Sequence, residues 1–282
     1  MITDADVERW LREDVGHHDV TNRVPGETEG RLVAKEAGTV AGLDAAKAVF
    51  EYLDCEVGST SGRGGETAEP TVPVESGDRI EPGDEVLRVQ GPAREILRGE
   101  RVAVNVVGHA SGIATKTAAA VEAVGDRDTT IAGTRKTTPG LRGVEKRAVV
   151  AGGGDTHRLD LSHMVMVKDN HVAELGLEGA VSHFREQASF ATKLDVEVES
   201  VADAPRAAKY GADIVLLDNM TPSETERAVE RVAETDTGTL TEASGGITVE
   251  TVPDYAATGV DIISMGSLTH SAPTLDLSFR TG

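Results

Sequence analysis

The feature that most constrains this chain is a beat that begins near residue 130. An apolar run is followed by a polar or glycine-containing end and then by a helical stretch. Apolar runs fall at 130–134, 164–167, 194–198, 214–217, 239–243 and 261–264, and helical patterns at 173–187, 202–210, 222–234 and 249–257 lie among them. Parallel strands need long crossovers, so this alternation predicts a parallel sheet. Six or seven such units suggest a closed or nearly closed (β/α) barrel, with a doubly wound open sheet as the alternative. Before residue 130 the texture is mixed: strands at 31–34 and 85–89, a helix at 45–53, a glycine-rich loop at 59–65, and a helical pattern over 95–124 with a break at 108–112. The tail at 275–279 alternates like an edge strand and is expected to return to the first domain.

With 282 residues the chain accommodates two domains, or one barrel with an appendage. No apolar run reaches the length of a membrane span and the first residues do not form a signal peptide, so a cytoplasmic location is expected. Cys55 is the single cysteine, which excludes an intramolecular disulfide and a cysteine zinc cage and reads as a buried thiol. Charge is the outlier. The net value of −20 argues against generic nucleic-acid binding, and the scarcity of Lys and aromatics beside abundant Asp and Glu suggests a salt-adapted source.

In a barrel, chemistry belongs at the C-terminal ends of the strands. The residues there are polar: Thr134-Arg135-Lys136-Thr137, then Lys168-Asp169-Asn170-His171, then Glu197 and Glu199, then Asp218-Asn219. The last two ends carry Ser244-Gly245-Gly246 and Ser264-Met265-Gly266, small residues whose backbone N–H groups can approach phosphate oxygens. Arg135, Lys136, Arg158 and Lys168, with His157, form a cationic set suited to a substrate with several negative charges. Glu197 and Asp218 suit Mg²⁺ shared with phosphates, or sugar hydroxyls; their alternative role is to pair with the cations. No nucleotide-binding glycine motif and no Gly-X-Ser-X-Gly nucleophile motif is present.

These residues resemble the quinolinate phosphoribosyltransferase family. The resemblance spans nearly the whole chain and is carried by Asp19-Val20-Thr21, Gly99-Glu100-Arg101, Thr134-Arg135-Lys136-Thr137-Thr138-Pro139-Gly140, Gly152-Gly153-Gly154 with His157-Arg158, Lys168-Asp169-Asn170-His171, Val196-Glu197-Val198-Glu199, Leu217-Asp218-Asn219 and Ala243-Ser244-Gly245-Gly246. It implies an N-terminal α/β sandwich (residues 1–103, joined by the tail 268–282) packed on an incomplete (β/α) barrel (residues 104–267) in a homodimer. It also implies phosphoribosyl transfer from phosphoribosyl pyrophosphate to quinolinate with decarboxylation, using Mg²⁺ and no prosthetic group.

By the same resemblance, the quinolinate carboxylates fall to Arg135, His157, Arg158 and Lys168, with Arg101 reaching in from the partner subunit. Phosphoribosyl pyrophosphate falls to Thr134, Lys136, Glu197, Asp218, Ser244, Gly245, Gly246, Ser264 and Gly266. Lys136, Lys168, Glu197 and Asp218 are the catalytic candidates, and Glu197 and Asp218 the metal carboxylates. The sequence departs from the expected pattern at Val104, Arg147 and His163, of which His163 stands closest to the charged set. Rival readings are a same-fold enzyme acting on nicotinate or another acceptor, a barrel lyase forming a Schiff base through Lys136 or Lys168, and a non-catalytic phosphate-ligand sensor.

Overall fold

The computed structural model describes residues 2–58 and 74–282; the expected loop at 59–65 lies outside the described residues. In chain order the elements are α1 (Asp4–Val15), β1 (Glu27–Ala34), β2 (Gly38–Thr39), α2 (Leu43–Tyr52), β3 (Glu56–Gly58), β4 (Arg79–Ile80), β5 (Glu85–Pro92), α3 (Ala93–Val124), β6 (Thr130–Ala132) and α4 (Arg142–Ala151). There follow β7 (Val165–Val167), α5 (Asp169–Leu175), α6 (Leu177–Gln187), β8 (Leu194–Val198), α7 (Ala204–Tyr210), β9 (Ile214–Asp218), α8 (Pro222–Ala233), β10 (Leu240–Ser244), α9 (Val252–Ala256), β11 (Ile262–Ser264), α10 (Ser267–His270) and β12 (Leu277–Thr281). They group into two compact units: residues 2–118, 138–153 and 271–282 make one, residues 119–137 and 154–270 the other. Among the described residues no helix is long and apolar enough to cross a membrane.

The first unit is built on a four-stranded sheet in the order β12-β1-β5-β3, antiparallel throughout. Leu32 of β1 and Leu87 and Val89 of β5 belong to one core cluster with Phe50 of α2 and Ile96 of α3, so one face of the sheet and the apolar sides of the two helices share a core. The tail does return as a strand, pairing Leu277–Thr281 with β1.

The glycine-rich stretch at 108–112 is not a break, and α3 runs through it without interruption. These glycines serve close approach rather than flexibility. A Cβ on Gly112 would lie 1.9 Å from the Pro273 carbonyl oxygen, and one on Gly108 would lie 3.0 Å from that of Leu275, so the bare helix face is where the C-terminal segment lies down. Further along the chain, Glu145 on α4 is fully buried. It meets His109 Nε2 at 2.8 Å, and its oxygens accept the Thr138 backbone N–H at 3.1 and 3.3 Å.

The second unit holds a parallel six-stranded sheet in the order β6-β11-β10-β9-β8-β7. From β7 to β11 each strand lies beside its predecessor, and β6 pairs with β11, the last in sequence. A sheet whose first strand meets its last has curled round, which is barrel winding rather than the reversing order of a doubly wound sheet. The seam falls between β6 and β7. There Asp155 makes a single parallel bridge to Ala132, and Arg158 Nη2 reaches Met166 Sδ of β7 at 3.3 Å.

Period-2 alternation sorts the strand residues. Val196, Val198, Val215 and Leu217 face the helices in one apolar cluster, and Ile131, Ala243 and Ile263 do so in another. The residues between them face the interior of the sheet. The stretch read as one helix over 173–187 is two helices, α5 beginning at Asp169 and the pair broken at Gly176 with φ +69°. Helix α8 opens with a reciprocal cap: the Thr221 hydroxyl accepts the Glu224 N–H, and the Glu224 carboxylate accepts the Thr221 N–H.

Candidate active site

At the C-terminal ends of the barrel strands lies a cavity of about 500 Å³. Strand register sets its rim: Ser244 stands level with both Asp218 and Ser264, while Val196 stands level with Val167, so Glu197 and Lys168 follow side by side. Lys168 Nζ donates to Glu197 Oε2 at 2.6 Å. Asp218 Oδ2 accepts the Asn219 side-chain amide at 2.6 Å, and Asn219 is held at φ +54°. The cavity is thus rimmed by groups from five neighbouring strands.

The cations come from the ends of β6 and β7 and from the segment after Asp155. Thr134, Arg135 and Lys136 follow β6 and line the cavity. Thr134 Oγ1 accepts the Lys136 backbone N–H at 3.1 Å, and the Thr269 hydroxyl donates to the Lys136 carbonyl at 2.6 Å, fixing the turn from both sides. Gly266 makes room for the Lys136 stem, since a Cβ there would stand 2.8 Å from Lys136 Cδ. Gly245, at φ +101°, crosses over Asn219, where a Cβ would meet the amide oxygen at 2.3 Å, and Gly246 continues at φ +62°. Neither position tolerates a side chain without strain.

His157 and Arg158 line the same cavity, His157 at φ +51°, a conformation rare outside glycine. Arg158 is 8% exposed. Burial, reinforced by the charge of Arg135, pulls its guanidinium below the usual value, against the opposing pull of Asp195 and Glu242. His163 accepts the Leu159 backbone N–H through Nδ1 at 3.2 Å, closing the turn that follows Arg158.

All the expected positions on the barrel (Thr134, Arg135, Lys136, His157, Arg158, Lys168, Glu197, Asp218, Ser244, Gly245, Gly246, Ser264 and Gly266) therefore line one cavity. Glu199, which also follows β8, lines a different depression with Asp169 and Arg206. Arg101 belongs to the first unit. It is exposed on α3 with Glu100 Oε1 3.7 Å from its Nη2, and it does not line the cavity.

Two functional candidates escape a reading confined to strand ends. Asp195 and Glu242 lie within strands β8 and β10, one step below Glu197 and Ser244 on the same face, and both are fully buried. Glu242 Oε2 meets His157 Nε2 at 2.9 Å. Among the described residues Asp195 accepts no hydrogen bond at either oxygen. Burial first, and then the charge of Glu242, raises its carboxyl well above the ordinary range, with Arg158 and Lys168 opposing. The signal for both was a carboxylate inside a strand, on the face opposite its apolar neighbours Val196 and Ala243, where burying a charge is costly.

Comparison with known proteins agrees with this architecture. Residues 19–111 match the quinolinate phosphoribosyl transferase N-terminal domain and residues 113–280 the C-terminal domain. The chain is 42% identical over 279 residues to a Homo sapiens protein named nicotinate-nucleotide pyrophosphorylase [carboxylating], covering 97% of this chain and 90% of that one. It is 43% identical over 267 residues to a probable enzyme of the same name from Archaeoglobus fulgidus, covering 93% and 97%. The crystal structure of NadC from Streptococcus pyogenes superposes with a TM-score of 0.87 at 40% identity, covering 99% of this chain and 97% of that one. Fold, cavity and relatives converge: this chain belongs to the quinolinate phosphoribosyl transferase family.

Proposed function

We propose that this protein transfers the phosphoribosyl group of phosphoribosyl pyrophosphate to the ring nitrogen of quinolinate with loss of the 2-carboxylate, giving nicotinate mononucleotide, pyrophosphate and CO₂ in de novo NAD synthesis. The observation that carries the reading is one cavity in which Arg135, Lys136, His157, Arg158 and Lys168 face Glu197 and Asp218. Quinolinate brings two carboxylates, and the pyrophosphate ester brings a 5′-phosphate and a leaving diphosphate. A cavity with this many cations in a chain of net charge −20 suits such a pair of anions.

In this reading Arg135, His157, Arg158 and Lys168 hold the dicarboxylate, and Arg101 of the partner subunit in a homodimer completes the grip. The 5′-phosphate lies against Ser244, Gly245, Gly246, Ser264 and Gly266, where the lack of side chains at the glycines lets backbone N–H groups approach its oxygens. The bond from C1′ to the pyrophosphate oxygen breaks as the ring nitrogen bonds to C1′. Lys136, with Thr134 fixing its turn, stabilises the departing negative charge, while Glu197 and Asp218 stabilise the oxocarbenium-like sugar. The alkylated ring is a pyridinium, which accepts the electron pair left at C2 as CO₂ departs. A proton then replaces the carboxylate, so no prosthetic group is required.

Glu197 and Asp218 also fit Mg²⁺, a hard cation that takes one or two protein carboxylates and draws its remaining ligands from substrate phosphates and water. Bound there, it would neutralise pyrophosphate charge. Among the described residues the one three-donor grouping that could hold a metal is a different set, His157, Asp195 and Glu242, beside Arg158. In functional terms residues 104–267 form the catalytic domain, and residues 1–103 with the tail 268–282 the flanking one.

The test is an assay with quinolinate, phosphoribosyl pyrophosphate and Mg²⁺ at low and high KCl, following nicotinate mononucleotide by chromatography and CO₂ by trapping, with nicotinate as a parallel acceptor. Equal yields of nucleotide and CO₂ from quinolinate alone are expected. Turnover of nicotinate instead, or none from folded protein at any salt concentration, would refute the assignment.

A further inference from the structure

In the strand-end triplet Leu217-Asp218-Asn219 the last residue has no part in the chemistry described so far, yet three contacts converge on it. Asn219 follows β9 at φ +54°. Gly, and after it Asn and Asp, accept this left-handed backbone most readily. Turned this way, the Asn219 N–H donates to the Ser244 carbonyl at the end of β10 at 2.9 Å, and the side-chain Nδ2 donates to Asp218 Oδ2 at 2.6 Å. The rest of the amide lies against Gly245, where a Cβ would stand 2.3 Å from Oδ1 and 2.7 Å from Cγ. One side chain thus bridges a carboxylate and the bare backbone of the glycine turn. Asp218, Ser244 and Gly245 line the cavity, whereas Asn219 is exposed and stands outside its lining.

We infer that Asn219 is a positioning residue for the phosphoribosyl transfer proposed above: its amide fixes the Asp218 carboxylate and, through Gly245, holds it at one spacing from the phosphate turn. The inference rests on the assignment of Asp218 to the sugar and of Ser244, Gly245 and Gly246 to the 5′-phosphate. Orientation carries it. The terminal torsion of an aspartate is broad, so an unheld carboxylate swings over a wide arc. A charge-assisted hydrogen bond to one of its oxygens narrows that arc. The anchored phosphate and the carbon that becomes oxocarbenium-like belong to one ribose, so a carboxylate held at fixed spacing from the phosphate turn meets the positive charge where it develops. The choice of residue follows from the same geometry. Gly would adopt the backbone but offer no donor, and Asp would set a second anion against Asp218; Asn meets both demands.

The experiment compares Asn219→Gly, Asn219→Ala and Asn219→Asp with wild type in single-turnover formation of nicotinate mononucleotide at saturating quinolinate, phosphoribosyl pyrophosphate and Mg²⁺, which reads the chemical step apart from product release. Quinolinate affinity is measured alongside by calorimetry, and unfolding by circular dichroism. Asn219→Gly keeps the left-handed backbone and the bond to Ser244 and removes only the amide. It is expected to unfold within a few degrees of wild type and to bind quinolinate within about twofold, yet to react about ten- to a hundredfold more slowly, the range that a misplaced catalytic group produces. Asn219→Ala, which adds backbone strain, should react as slowly as the Gly variant and unfold earlier. Asn219→Asp should be at least as slow, because repulsion replaces the bond to Asp218. A residue that served only the turn would give another order, with Gly equal to wild type and Ala alone impaired. A wild-type rate in Asn219→Gly or Asn219→Asp would overturn the inference, as would a loss of quinolinate affinity in Asn219→Gly as large as its loss of rate. Wild type without turnover would overturn the assignment of the site and this inference with it, whereas active wild type matched by Asn219→Gly overturns the inference alone.

Discussion

Replacing Gly112 by Ala sets two opposing effects against each other. Alanine is favoured over glycine in a helix interior by about 1 kcal/mol, so propensity alone predicts a more stable protein. Against this, the added Cβ would stand 1.9 Å from the Pro273 carbonyl oxygen and 2.9 Å from its carbon, backbone atoms that cannot rotate away. Ordinary contact begins at 3.4 Å, so helix and tail must separate by about 1.5 Å. The tail cannot yield at one residue only, because the Leu275 N–H donates to the Gly108 carbonyl at 3.0 Å and Leu275 and Leu277 are both buried in the core. Overpacking of this kind costs roughly 1 to 3 kcal/mol, and the rigidity of both partners argues for the upper end. After the helical gain, a net loss of about 2 kcal/mol remains, a fall in Tm of about 4 to 8 °C. Thermal unfolding followed by circular dichroism reads this directly, with Gly143→Ala as the control, since nothing lies within 4 Å of a Cβ there. The control should gain a few tenths of a kcal/mol. If Gly112→Ala unfolds no earlier than wild type, close approach is not what this glycine provides.

Lys168→Ala removes the partner of Glu197 and a cation from the cavity, and turnover is expected to fall by roughly two orders of magnitude or more while the unfolding temperature barely moves; near-normal turnover would remove Lys168 from the chemistry. Glu145 tests the other unit: burial opposes its ionisation, but hydrogen bonds from His109 and Thr138 outweigh burial and hold the carboxyl below its ordinary range. Its stabilisation is present above the unfolded value and is lost as pH falls through the lower folded one. Glu145→Gln should therefore cost about 1.5 to 3 kcal/mol near neutrality, with the gap to wild type closing below about pH 4. Asp195 has the opposite sign. Raised by burial and by Glu242, it weighs against folding increasingly as pH climbs above the unfolded value near 3.9, so Asp195→Asn should unfold at a higher temperature than wild type at about pH 7 and converge with it toward about pH 4. Equal unfolding temperatures of the two across that range would show that Asp195 is not strained by its burial.

The sequence announces the rim of the cavity more clearly than its floor. Lys168, Asp218 and Ser244 stand where an apolar run stops and Glu197 one residue short of the end of β8, and the rule that barrel chemistry gathers at the strand ends finds them. Asp195 and Glu242 escaped it because they lie inside their strands, short of the ends: Leu194-Asp195-Val196 sets the carboxylate between apolar neighbours, and Thr241-Glu242-Ala243 sets it two residues before Ser244. The glycines at 108 and 112 misled for a different reason. Local propensity reads Gly as an interruption, whereas the structure uses the missing side chain to admit a segment more than 160 residues further along the chain, which no local signal foretells. The division at Gly176 was hidden because α5 and α6 are both helical in texture, and only the backbone reversal between them, at φ +69°, separates the two. His157 was recognised as a cation donor, but its dependence on Glu242 is a contact between positions 85 residues apart.

The strand that closes the first sheet is made after every strand of the barrel. β1 pairs on one side with β5, close in sequence, and on the other with β12, whose Phe279 stacks on Phe50 at 5.7 Å and fills the space over Gly30. On the ribosome, β1 therefore waits with one hydrogen-bonding edge open while the entire barrel is synthesised, and only β12, at residues 277–281, covers it. An open edge is a template for pairing with other chains. Termination just before residue 277 would therefore leave every barrel strand in place and still release a chain with a sticky first strand, a fault more apt to appear as aggregation than as a defective cavity.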